Sequence, residues 1–144
     1  MVSPKRMSPK PKVTDDAVRE AVRKGRAIAV VKIESVEVRA DLWFDNTRMV
    51  YYRFEALKML RESQSRAHAK EEFKFANAEE IWGGPAGQKG QPERGLLPGH
   101  AYLVICYHVK FPMLEHSREV PGADDPFVRD VEALCNEVKC GVRS

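Results

Sequence analysis

The longest continuous apolar stretch of the chain runs from Leu96 to Val109, LLPGHAYLVICYHV, and a Pro-Gly pair launches it. In an extended chain Leu103, Ile105, Tyr107 and Val109 fall on one side, and Tyr102, Val104, Cys106 and His108 on the other, because side chains alternate across a strand. Neither side is properly polar, so the run predicts a central strand covered on both faces. Upstream, Ala27 to Ala40 is rich in β-branched residues with two-residue alternation, which predicts another strand. That alternation slips, since Val31 and Ile33 share one parity while Val36 and Val38 share the other. A β-bulge near Glu34 and Ser35 returns all four to the core. A long, bent first strand suits a small closed barrel.

Helical spacing marks two further segments. Thr14 is a good N-cap for a short helix with Asp15 and Asp16 in its first turn, Arg23 and Lys24 in its last and Gly25 to stop it. Ala17, Val18, Ala21 and Val22 form its apolar stripe. The second helix is signalled by Asp125 as N-cap and Pro126 at the first position. Its apolar face, Phe127, Val131, Leu134, Cys135 and Val138, should lie on the barrel.

Between them, Asp45 and Asn46 predict a turn into a strand that runs from Met49 to about Leu57. Residues beyond it, to Glu72, are rich in helix formers and predict a polar helical excursion. Phe73 to Ile81 predicts a short third strand, Gly83 to Gly95 a flexible glycine-rich loop, and Phe111 to Gly122 a polar loop. The expected fold is mainly β with helices (α+β), a small barrel with a C-terminal amphipathic helix packed on it. The expected organisation is a basic arm, 1–13, before a single globular domain, 14–144.

This order of a bent strand, a hairpin partner, a short third strand, a glycine-rich loop and then LLPGHAYLVICYHV resembles the oligonucleotide/oligosaccharide-binding (OB) barrel of netrin-like and tissue-inhibitor-of-metalloproteinase-like domains. In those domains a Leu-x-Pro/Ala-Gly-x-x-Tyr-Leu-Val type segment enters a core strand. The resemblance covers Ala27 to Val109 and implies an OB-like fold and a secreted binding or inhibitory module. The family's inhibitors chelate a target's metal through an N-terminal cysteine, whereas no cysteine here precedes Cys106. The fold and a binding role therefore carry over, and metalloproteinase inhibition does not.

Composition narrows the function classes. With 144 residues, 43% hydrophobic and 31% charged, the chain has the make-up of one ordinary globular domain. The net charge of +3 is unevenly placed: Lys5, Arg6, Lys10 and Lys12 precede Val13 with no acid among them. Without those four, 20 basic residues face 21 acidic ones. The basic character belongs to the arm, which weakens a nucleic-acid reading. No apolar run is long enough to span a membrane. As given, the chain reads as cytoplasmic, and as exported if a leader sequence is missing.

Candidate chemistry is sparse. Cys106 and His108 lie two apart, and His100, His116, Cys135 and Cys140 are candidate neighbours, yet the spacing is not a zinc pattern and no metal or cofactor is expected. Disulfides among Cys106, Cys135 and Cys140 are candidates with the pairing open. A Cys106 nucleophile is disfavoured in an apolar strand, so no catalytic residue is expected. The glycine-rich loop lacks the Gly-Lys-Ser/Thr ending of a phosphate loop. What remains is a non-enzymatic protein-binding module of inhibitor, immunity or adaptor type, with Trp43, Phe44 and Trp82 as the expected contact residues. The alternative is a single-stranded nucleic-acid binder that stacks bases on the aromatics Trp43, Phe44, Tyr51, Tyr52 and Trp82.

Overall fold

The computed structural model describes residues 13–41, 47–63, 75–85, 95–107 and 112–142. Helix α1 (Asp15–Arg23) leads into β1 (Ala27–Asp41) and β2 (Thr47–Arg61), and then a 3-10 turn (Phe75–Asn77). Strands β3 (Glu80–Pro85), β4 (Ala101–Tyr107) and β5 (Met113–Val120) follow, and α2 (Pro126–Val142) closes the chain. The fold is mostly β with two helices, as the periodicity predicts.

Strand β1 pairs antiparallel with β2 from Ile28 to Asp41 and, through Ala27 to Lys32, with β4. β2 pairs antiparallel with β3, and β4 with β5. The run β4-β1-β2-β3 is a Greek-key order. β5 links its ends, meeting β3 in parallel at Trp82 and Met113, so the order β1-β2-β3-β5-β4 returns to β1.

Because β1 and β4 alternate between two apolar environments, the described residues form two cores. Ala29, Val31, Ile33, Val50, Tyr52, Ile81, Tyr102, Val104 and Cys106 fill the interior of the sheet. Ile28, Val30, Leu103 and Ile105 point to the outer side, where Val18, Ala21 and Val22 of α1 and Val128, Val131 and Cys135 of α2 cover them. Leu96–Val109 thus contains the expected two-faced spine, with Leu103, Val104 and Ile105 fully buried. Val13, assigned to the arm on sequence grounds, is buried in the helix-side core.

Local chemistry fixes the helix ends. The Thr14 hydroxyl accepts from the Ala17 N–H at 3.1 Å, and the Asp125 carboxylate accepts from Phe127 N–H at 3.0 Å. Gly25 takes the left-handed conformation, φ 71°, after α1.

Bulges bend the sheet and explain where the sequence misleads. At Glu34, Ile33 pairs with Phe54 and Ser35 with Arg53, which is the expected slip. β2 carries two more extra residues, Leu57 and Leu60, since Val31 pairs with Ala56, Val30 with Lys58, Ala29 with Met59 and Ile28 with Arg61. These bulges erase the alternation and space two leucines as a helix would, so the strand continues to Arg61 where a helical excursion is predicted from about residue 58. Residues 64–74 lie outside the described residues. β5 occupies most of the predicted polar loop: it carries a bulge at Glu115 and turns few apolar side chains inward.

The third strand is displaced as well. Phe75 opens a 3-10 turn, stacks on Phe54 at 5.1 Å between ring centroids, and donates its N–H to the Glu62 carboxylate at 2.7 Å. β3 begins only at Glu80 and takes in Gly83, Gly84 and Pro85, three residues of the predicted loop. A β-carbon on Gly83 would sit 2.5 Å from Tyr52 Cε2, and one on Gly95 would sit 1.6 Å from the Tyr52 hydroxyl. Those glycines admit the Tyr52 ring, whose hydroxyl accepts from Leu96 N–H at 3.1 Å. The Tyr102 hydroxyl accepts from Leu97 N–H at 2.9 Å, so two tyrosines hold the chain ahead of the Pro98-Gly99 turn.

Candidate functional site

Strand alternation decides which side chains leave the interior. Val50 and Tyr52 turn inward, so Tyr51 and Arg53 turn outward; by the same rule Trp82 opposes Ile81, Met113 opposes Leu114, and Tyr107 opposes Cys106. Register then brings the outward residues together. Tyr51 pairs with Trp82, Trp82 with Met113, and Met113 with Tyr107. The four form one row across β2, β3, β5 and β4, about 14 Å long at ~4.8 Å per strand. Tyr107 is 38% exposed, the other three are partly exposed, and none of the four packs into either core.

Each end of the row carries an arginine laid on a tyrosine. The Arg39 guanidinium lies 4.3 Å from the Tyr51 ring centroid. It donates to Glu37 at 2.9 Å and to both carboxylate oxygens of Glu80. At the other end, Arg26 lies 4.7 Å from the Tyr107 centroid and donates to Glu115 at 2.5 Å. The Glu115 bulge lets this side chain reach across to Arg26. Hydrogen bonds donated to Glu37 and Glu80 push the Arg39 pKa above its already high value, and the hydrogen bond from Arg39 holds the Glu37 carboxyl below the usual range. The row is apolar in its middle and rimmed by paired charges.

No family model and no curated protein matches this chain. The reading of the row therefore rests on its geometry.

Of the expected contact residues, Trp82 stands in the row; Trp43 and Phe44 lie outside the described residues, as do 86–94 of the glycine-rich loop. Sequence reasoning overlooked Met113 and Tyr107, and noted Tyr51 without placing it beside Trp82. The signal that finds them is register, which becomes available only once β5 is recognised as a strand.

The other candidates do not converge. Cys106 lies inside the sheet and Cys135 on the sheet-facing side of α2, on opposite sides of β4, and both are free thiols. Burial pushes both pKa values up, with Glu115 adding to the effect at Cys106, so the reactive thiolate is disfavoured. The side chain of Cys140 and the residue His108 lie outside what is described. His100 pairs with Glu119 at 2.7 Å on the surface, while His116 lines a groove between β5 and α1. Among the described residues, no group of three or more His, Cys, Asp or Glu is placed to hold a metal ion, and no helix is long and apolar enough to cross a membrane.

Proposed function

We propose that the chain is a non-enzymatic protein-binding module built on an OB-like barrel, of inhibitor, immunity or adaptor type. Five strands in a Greek-key order that returns to its start support the barrel. The observation that carries the binding role is the Tyr51–Trp82–Met113–Tyr107 row. Aromatic residues and methionine with a polar rim are the composition of a contact centre, where rings bring large area at little entropic cost.

The charges favour protein over nucleic acid. A phosphate backbone needs available cations, whereas Arg39 is engaged by two carboxylates and Arg26 by one. The test is capture with the intact chain, repeated with Tyr51→Ala plus Trp82→Ala. A protein retained by the first and lost by the second, with circular dichroism unchanged, is the expected result. Equal retention by both would remove the row from the binding surface.

A further inference from the structure

We propose that His116 is a proton-operated latch on the Tyr107 end of the row. When its imidazole takes a proton from solvent, the ring turns into the groove beside α1, shares the Glu115 carboxylate and loosens the Arg26 guanidinium that lies over Tyr107. The inference rests on the reading of the row as a binding surface and adds its regulation.

Three observations carry it. The first is the place of the imidazole. His116 stands opposite Ile105, on the helix side of the sheet, and lines an open groove of about 440 Å³ with Thr14 and residues of α1. Its side chain is 24% exposed, yet Nδ1 is buried and has no hydrogen-bond partner. A neutral imidazole has one nitrogen without a proton, and Nδ1 fits that role. In the cation both nitrogens are donors, so the same placement would bury an N–H with no acceptor, which is costly. The charged ring gains by turning outward, and the groove gives it room.

The second is connection. Glu115, at the β5 bulge, divides its two oxygens between neighbours. Oε1 accepts from Arg26 at 2.5 Å, while Oε2 lies 4.0 Å from His116 Nε2, a gap that a small turn of the ring closes. Arg26 in turn lies 4.7 Å from the Tyr107 ring centroid. One carboxylate thus joins the imidazole to the last ring of the row.

The third is charge. The carboxylates that line the groove are already engaged. Asp16 faces Arg19 at 3.6 Å, Glu20 holds Arg23 at 2.6 Å and Lys24 at 2.9 Å, and Glu115 holds Arg26. β4 sets the uncharged Ile105 opposite His116, and its Cys106 thiol lies on the interior side of the sheet. Among the described residues α2 adds no side chain to the groove. A proton on His116 therefore creates one more cation with no carboxylate of its own, and Glu115 Oε2 stands within 4.0 Å of it. Two cations then divide one carboxylate, and the Glu115 hold on Arg26 weakens.

The test follows the His116 imidazole, the Arg26 side-chain N–H and the Tyr107 ring by NMR in the free, full chain. The scan runs between about pH 5 and 8, the range in which imidazoles change charge. The expected result is that all three signals move with one midpoint. A Tyr107 ring that stays still while His116 titrates overturns the latch, and this arm needs no variant. In His116→Gln the movements of Tyr107 and Arg26 should be lost, and their persistence at the same midpoint also overturns it. In Glu115→Gln the imidazole should still titrate while Tyr107 stays still; a Tyr107 ring that continues to follow His116 overturns the connection through Glu115. The binding reading fails separately. Capture indifferent to Tyr51→Ala with Trp82→Ala ends the row's role in partner binding and leaves the latch standing, whereas row-dependent capture with an unresponsive Tyr107 ends the latch alone.

Discussion

The outer side of the sheet is built in two ways. Beneath α1 and α2 it presents Ile28, Val30, Leu103 and Ile105, aliphatic side chains with no exposed surface. Beyond the helices it presents Tyr51, Trp82, Met113 and Tyr107, with arginines laid on the two tyrosines and carboxylates holding the arginines. The aliphatic part gains stability by excluding water permanently. The aromatic part keeps partial exposure, and its rings and paired charges tolerate water, as the proposed contact surface requires. One sheet thus carries a sealed aliphatic side and a half-exposed aromatic row, the proposed contact surface.

The comparison breaks most sharply if the covered side is not the dominant source of stability. Ile105→Ala should lower unfolding free energy by about 2–5 kcal/mol, since it leaves a cavity between β4 and the helices. Tyr51→Ala with Trp82→Ala should cost less than the single core change. Denaturant unfolding of the three proteins decides this. A double variant as damaging as Ile105→Ala would make the row a third core.

Next in size is an alkaline effect from the interior. Burial raises the pKa of Cys106, and also raises those of Tyr52 and Tyr102 against lowering hydrogen bonds from Leu96 and Leu97 N–H. The folded protein keeps protons that the unfolded chain releases, so stability falls as pH rises above the ordinary thiol value of 9.0. The limiting slope is about 1.4 kcal/mol per pH unit for each such group. Cys106→Val should flatten the first part of that fall, which unfolding curves between about pH 8 and 10 would measure. An unchanged slope would place the thiol elsewhere than in the interior.

How much of this division the sequence discloses depends on bulges. The spine at Tyr102 to Cys106 is legible because both parities are apolar, and the two helices are legible because caps and stripes coincide. β2 past Leu57 and all of β5 are not, since extra residues at Leu57, Leu60 and Glu115 break the two-residue period. Gly83 and Gly95 read as loop glycines because glycine marks turns, while their actual constraint is the distant Tyr52 ring. Trp82 is singled out as an aromatic, but Met113 and Tyr107 join it through pairings that lie far apart in sequence.

A smaller effect probes the rim. At low salt, the row should add no measurable affinity for single-stranded oligonucleotides, because the arginines over Tyr51 and Tyr107 are already neutralised. Fluorescence anisotropy with a labelled oligonucleotide, titrated against salt, measures it. Tight binding that weakens steeply with salt, and is lost in Tyr51→Ala, would convert the row into a base-stacking platform.

The smallest expected effect concerns one carboxyl group. Arg39 holds the Glu37 pKa below its ordinary 4.5 by hydrogen bond and charge. A depressed folded value means the contribution is present above the unfolded pKa and disappears as pH falls through the folded one, so the relevant window lies below 4.5. Glu37 is exposed, and solvent screens the pair, so Glu37→Gln should leave unfolding midpoints at neutral pH unchanged within error. Arg39→Met should instead raise the Glu37 titration midpoint, followed by NMR of its side-chain carboxyl carbon. That result would show the rim charges to be organised without being needed for the fold, whereas an unmoved midpoint would dissolve the Arg39–Glu37 pair and leave one end of the row open to solvent.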